Sequence, residues 1–312
     1  MRIAIIGVGG VGGYFGGLLA KAGHDVILQA RGAHLQALQS QGLTIESPAQ
    51  PMRNQPVQAV ASLAGQAPAD LVLIAVKLWD TEAAIAAAAP VVGPDTAVAS
   101  LQNGIAATDL VKAAFGPQRT LGGVAQISAE IASPGVIKHT GTMARMVLGE
   151  LNAPTSPRLE AFAAAAREAK FDFILSPDIT FAIWEKFVFL TAASGLTALT
   201  RSTFGPIMAE PKTVALFEAA LNEAAAVARA HGAVMPEGHV EKVLSFCRSR
   251  PPESRSSMSL DLERGARLEL PWLSGTVAAL GRKLGIPTPT HAFIDAALTL
   301  HAGGKPPAQR PA

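Results

Sequence analysis

The first twelve residues constrain this chain most. A short β-branched run, Arg2-Ile-Ala-Ile-Ile6, passes directly into Gly7-Val8-Gly9-Gly10-Val11-Gly12, which matches G-x-G-x-x-G and opens a helical pattern. Each glycine answers a separate demand. Gly7 permits a tight turn, Gly9 lets the backbone approach a pyrophosphate, and Gly12 lets the helix pack closely on the strand. The helix start then offers free N–H groups and partial positive charge to phosphate. Alone the motif is weak, but in the first strand–helix turn of an alternating pattern it marks a dinucleotide site.

The alternation is present. After the loop come a helical run at 12–23 and a strand at 25–31. Further strands are expected at 69–77, 96–102 and 119–127, with a helix from Thr81 to Val92. Near-continuous apolar strands separated by helices predict a doubly wound parallel sheet covered on both faces, a Rossmann α/β domain. Shorter antiparallel strands are expected at 128–150, then a loop, a helix and a last strand, Phe171–Ser176. Beyond Pro177 the pattern is helical throughout: 180–199, 211–232, 236–249, 254–265, 271–285 and 289–301. The sequence therefore predicts a Rossmann domain at 1–176, an all-helical domain at 177–302 and a disordered tail at 303–312.

Composition removes several alternatives. A net charge of +2 without basic runs gives nucleic-acid binding no support. The single Cys247 rules out an intramolecular disulfide and suits a reducing cytoplasm, so a cytoplasmic location is expected. The N-terminal apolar run is too short for a signal peptide, and the tracts near 83–99 and 187–199 are too short or too broken to span a bilayer, so no membrane role is expected. The histidines show no metal-ligand spacing, and G-x-S-x-G is absent, so neither a metal centre nor a serine hydrolase is expected.

The predicted second strand ends in Gln29-Ala30-Arg31, where an NAD enzyme usually carries an acid for the ribose hydroxyl. An Arg there instead suits the 2′-phosphate of NADP. Lys77, at the expected end of the 69–77 strand, would be a second phosphate partner. Taken singly, each reads equally as a solvated cation. Together, with no competing carboxylate apparent, they favour NADPH.

These residues, with "LQNG" at 101–104, "WEK" at 184–186, "LTAL" at 196–199, "SSMSLDLERGARLEL" at 256–270 and "GIPTPTH" at 285–291, resemble the ketopantoate reductase family in order and spacing. The resemblance covers nearly the whole chain to about residue 300. It implies a Rossmann domain joined to a helical domain resembling that of 6-phosphogluconate dehydrogenase, and NADPH-dependent reduction of 2-dehydropantoate, a step of pantothenate and coenzyme A biosynthesis. Carried over position by position, it makes Lys186 the catalytic lysine. Asn103 falls near nicotinamide and substrate, Ser257 holds the substrate, and Glu269 is the active-site glutamate. Gly7, Val8, Gly9, Gly10, Val11, Gly12, Arg31 and Lys77 become cofactor contacts, with Asn103 and Glu269 contributing there also.

The chemistry asks for such groups. Reducing the carbonyl of a 2-oxo acid builds negative charge on oxygen, which a positioned acid must protonate and a nearby cation stabilise. A lysine in apolar surroundings suits this role, because desolvation lowers its pKa and a carboxylate raises it again. Glu185 is adjacent but points elsewhere on a helix, so Glu269 is the better candidate for the lysine's partner or for a substrate anchor. Without the resemblance the same residues have plainer readings. Lys186 is a snorkelling side chain, Ser257 a helix cap, Glu269 a surface charge, and Asn103-Gly104 a turn.

One departure bears on the substrate. Family members commonly carry Asn four and eight residues after the lysine, on the same helix face. Here those positions hold Leu190 and Ser194. A buried substrate group without its partner costs about 1–3 kcal/mol. Either Ser194 and its neighbours supply the contact, or the substrate is another 2-oxo acid. A non-catalytic NADPH-binding sensor is the rival from a different class, which the presence of both Lys186 and Glu269 disfavours, since a pure binder has no need of an acid. An exposed apolar face on the helical domain would support a homodimer.

Overall fold

A computed structural model describes residues 1–305, and the chain divides into two compact units, the first Met1–Ile183 and the second beginning at Trp184. The sequence places the boundary earlier, at 176/177, where the strand pattern stops.

The first unit is built on one ten-stranded sheet. Its elements in order are β1 (Arg2–Ile6), α1 (Gly10–Lys21), β2 (Asp25–Gln29), α2 (Gly32–Gln41), β3 (Leu43–Glu46), β4 (Met52–Gln55), β5 (Gln58–Val60) and β6 (Leu71–Ile74). They continue with α3 (Thr81–Ala88), β7 (Ala97–Ser100), α4 (Ala106–Phe115), β8 (Thr120–Ser133), β9 (Val136–Glu150), α5 (Pro157–Glu168) and β10 (Asp172–Leu175). The strand order is β4-β3-β9-β8-β7-β6-β1-β2-β5, with β10 pairing β9. From β5 to β8 every pairing is parallel, the doubly wound core expected from the sequence.

The strands are apolar on both faces because both faces are covered. In β1, Ile3 and Ile5 join Tyr14, Phe15 and Leu18 of α1 in one core, while Ala4 and Ile6 join Ala84 and Ala88 of α3 and Val111 of α4 in the other. The antiparallel region differs from expectation. Instead of short strands at 128–150, β8 and β9 form a hairpin of 14 and 15 residues, so the sheet is mixed. The expected strand at 119–127 already runs through Gly122 and Gly123, whereas Gly141 and Gly149 interrupt the pattern of β9, because glycine weakens a strand; Gly122 and Gly149 are small enough for Ile179 to pack against them.

Helix α6 (Ile179–Thr200) contains the boundary between the units. It is followed by α7 (Phe204–Ala209), α8 (Pro211–Ala230), α9 (His239–Ser249), α10 (Ser257–Arg264), α11 (Ser274–Leu284) and α12 (Pro289–Leu298). The short α7 is absent from the sequence expectation. At 22 residues, α6 is long and apolar enough to cross a membrane by length and composition, which corrects the expectation of a shorter tract. More than half of it is buried within the protein, as befits a helix apolar on all sides.

His291 ties three helices of the second unit together. Its ring nitrogens lie 2.9 Å from the Ala220 carbonyl of α8 and 3.2 Å from Ser274 Oγ of α11, while Glu223 accepts from the Thr290 and His291 N–H groups at the start of α12. His139, in the first unit, is likewise buried between Ser47 Oγ and the Met143 carbonyl. The first residues of the expected disordered tail are tied down: Gly304 N–H donates to His301 and Lys305 N–H to Gly265. Residues 306–312 lie outside the described part of the chain.

Candidate functional site

In the first unit the candidate residues follow the carboxyl ends of β1, β2, β6 and β7. Gly7 has φ +94°, and a Cβ there would lie 2.6 Å from Val76 Cγ1, so the loop turns tightly against the segment after β6. At Gly12 a Cβ would lie 2.1 Å from the Gly7 carbonyl, and at Gly10 one would lie 2.0 Å from that of Ala129. Neither position accepts a larger residue without the backbone moving. Gly9 is the contrast: a Cβ there would meet nothing within 4 Å. The loop is closed where it meets the sheet and open at Gly9, and α1 begins with no side-chain cap and no acidic residue in its first turn. Val8 is buried under the loop and Val11 packs against the same core. Such a loop can receive an anion on backbone N–H groups.

Arg31 precedes α2 and is largely exposed. Its Nη2 lies 3.6 Å from Asp80 Oδ2, so the expectation of cations without a competing carboxylate is corrected. The sequence conceals this carboxylate because it belongs to another strand end, three positions after Lys77. Lys77 also sits differently from expectation. β6 ends at Ile74, and Lys77 precedes a single 3-10 turn, Leu78–Asp80, with its ammonium 5.8 Å from the centre of the Trp79 ring. It remains on the carboxyl side of the sheet.

Asn103 lies in the loop between β7 and α4, next to Gly104 at φ +78°. The turn expected from Asn-Gly is present. A buried network fixes its base: the Gln102 amide donates to Thr81 Oγ1 (2.9 Å) and accepts from Ser100 Oγ (3.0 Å). Gln102 therefore serves as the structural anchor, and partly exposed Asn103 is the residue presented.

In the second unit the candidates centre on α6. Residues 186, 190, 194 and 197 fall on one face at about 100° per residue. Lys186 is partly buried; burial lowers its pKa to about 8, against the opposing pull of Glu269, which raises it. Glu269 is no surface charge. It is 5% exposed between Leu268 and Leu270, both fully buried. A carboxylate so placed needs a charged partner, and Lys186 is one. Glu185 points elsewhere, toward His239, whose pKa is lowered by burial and raised in part by Glu185.

Further along this face Leu190 is partly buried, and Ser194 is 1% exposed with no hydrogen-bond partner for its Oγ among the described residues. Thr197 then holds α10 against α6: its Oγ1 is 2.7 Å from Ser256 Oγ, and its carbonyl accepts from Ser259 Oγ. The cap of α10 is Ser256, which accepts from the Ser259 N–H, so Ser257 is not the cap and is left exposed in the first turn. In a serine-rich run the sequence does not say which serine caps. The candidates thus form two groups, one in each unit: the glycine loop, Arg31, Lys77 and Asn103; and Lys186, Ser194, Ser257 and Glu269.

Comparison with known proteins finds matches across both units. The family model for ketopantoate reductase PanE/ApbA matches residues 3–153, and the model for its C-terminal part matches 178–302. The chain belongs to the ketopantoate reductase family. A 2-dehydropantoate 2-reductase of Mesorhizobium japonicum is 34% identical, with 96% of each chain covered. The solved PanE/ApbA family ketopantoate reductase from Ralstonia eutropha JMP134 is 33% identical and superposes with a TM-score of 0.87 over 97% of this chain and 98% of that one. A D-mandelate dehydrogenase, solved with NADH and anilino(oxo)acetate, shares the fold at 22% identity, with a TM-score of 0.88 over 97% of this chain and 98% of its own. The ketopantoate reductase family is one of oxidoreductases.

Proposed function

We propose that this protein reduces 2-dehydropantoate to pantoate with NADPH and that Lys186 donates the proton. The observation that carries the reading is the partly buried Lys186, whose pKa of about 8 leaves it largely protonated at neutral pH yet able to release a proton, with the buried Glu269 carboxylate acting on it. The glycine loop, open at Gly9 and uncapped at α1, fits a pyrophosphate, and Arg31 and Lys77 fit the charge of NADPH. The bound nicotinamide supplies a hydride. The chain's own groups do the rest: α1 and the loop bind phosphate, Asn103 orients the reacting groups, Lys186 protonates the substrate oxygen, and Glu269 keeps that lysine charged in partly apolar surroundings. Ser257 and Ser194 hold the remaining polar groups of the substrate.

A second reading has its own support. Leu190 and Ser194 stand where the family resemblance leads one to expect two Asn, so these two positions offer one hydroxyl and one apolar side chain. A 2-oxo acid with an apolar tail suits them. NADPH oxidation across a panel of 2-oxo acids that includes 2-dehydropantoate tests both. Saturable turnover of 2-dehydropantoate at the highest kcat/KM supports the first reading; turnover of another acid alone transfers the same chemistry to a new substrate. Cofactor binding without turnover of any acid would overturn both in favour of a sensor.

A further inference from the structure

The first unit brings a carboxylate to the place where the cofactor reading needs cations. Arg31 follows β2 and Asp80 closes the turn after β6, and β1 lies between those two strands in the sheet. Arg31 and Asp80 thus reach toward each other from either side of the strand that feeds the glycine loop, meeting at 3.6 Å. Lys77 belongs to the same turn as Asp80, whose N–H donates to the Lys77 carbonyl at 2.9 Å. One turn therefore carries a charge that favours a phosphate and another that opposes it.

We propose that Asp80 is a positioning residue that lowers the preference for NADPH over NADH. This rests on the reading of Gly7–Gly12 as a dinucleotide site with Arg31 at the ribose 2′ position. Two effects act together. Arg31 must share or leave its carboxylate to engage a 2′-phosphate, and the carboxylate repels the phosphate itself. NADH carries a neutral hydroxyl there and meets neither obstacle. An opposing effect exists, since a carboxylate that locked Arg31 into its binding rotamer would help NADPH. The geometry decides against it: the Arg31 side chain is 78% exposed and its contact with Asp80 is long, so it is not locked. The Asp80 side chain makes no capping bond to α3, and the turn is held by the Asp80 N–H and by Thr81 Oγ1 donating to the Leu78 carbonyl, so removing the charge spares the fold.

The test is a fluorescence titration of the full chain with NADPH and with NADH, for the wild type, Asp80→Asn, Asp80→Ala, Asp80→Glu and Arg31→Ala/Asp80→Asn. Asp80→Asn and Asp80→Ala should tighten NADPH by roughly two- to fivefold and leave NADH unmoved. Asp80→Glu should restore the wild-type ratio, and the gain should shrink without Arg31 and at high salt. If Asp80→Asn and Asp80→Ala weaken NADPH, or move both cofactors equally, the inference is overturned while the dinucleotide reading stands. A wild-type chain that binds neither cofactor overturns that reading and the inference with it.

Discussion

The glycine loop and the Lys186–Glu269 pair solve opposite problems. The loop works through backbone, in consecutive residues, by leaving side chains out; a Cβ at Gly12 would strike the Gly7 carbonyl, whereas one at Gly9 would meet only open space. The pair works through two side chains far apart in sequence, joined only when the segment before α11 folds beside α6. A backbone device is specified where it is written. A charge pair is specified by the whole of the unit that buries it, and removing one partner leaves the other buried without its counter-charge.

Lys186→Ala puts this contrast under the greatest strain. If the lysine is the acid, turnover should fall by roughly 10²–10⁴ while NADPH affinity holds within about twofold. Steady-state kinetics beside a cofactor titration decides it, and unchanged turnover would remove the proposed role. In the loop the corresponding experiment compares two alanines. Gly12→Ala should lower the melting temperature and abolish cofactor binding, since forcing an extra carbon against a main-chain oxygen costs about 1–3 kcal/mol. Gly9→Ala should leave the melting temperature unchanged and weaken only the cofactor. Equal losses of stability in the two variants would contradict the division of the loop into a packed and an open side.

The difference between the regions also explains what can be read from the sequence. The parallel core is legible because Ile3 to Ile6 are apolar on both faces, a pattern that only a doubly covered sheet requires. The loop is legible for the same local reason. The β8–β9 hairpin is longer than its sequence suggests because its length depends on pairing with each other rather than on propensity. The Asp80 carboxylate beside Arg31 is hidden because the two lie on different strand ends. Glu269 alone looks like a surface charge between leucines; only the packed structure shows those leucines and the glutamate buried together. Ser257 and Ser256 are neighbours of the same type, and which one caps α10 depends on where Thr197 of α6 sits.

The pH dependence probes the charge pair further. If the protonated lysine is the acid, turnover should be full below pH about 8 and decline as pH rises through that value. Glu269 raises the lysine pKa against the burial that lowers it. Glu269→Gln should therefore shift the alkaline limb of kcat toward lower pH, as well as reduce its height. A limb that stays in place or moves upward would mean that the carboxylate does not set the lysine's charge.

The smallest expected effect separates fold from function at one atom. Ser194 Oγ is buried without a protein partner among the described residues, and leaving a hydroxyl so placed costs about 1–3 kcal/mol relative to pairing it. A helix built only for stability would gain from Ala at this position, so Ser194→Ala should leave the melting temperature unchanged or raise it. If the hydroxyl is kept for the substrate, the same variant should raise KM for the preferred 2-oxo acid by up to roughly tenfold, with a smaller change in kcat, as expected for a lost ground-state contact. A stabilised variant with unaltered KM would leave Ser194 with no part in binding, and Lys186 would then be the one proposed site residue on that face of α6.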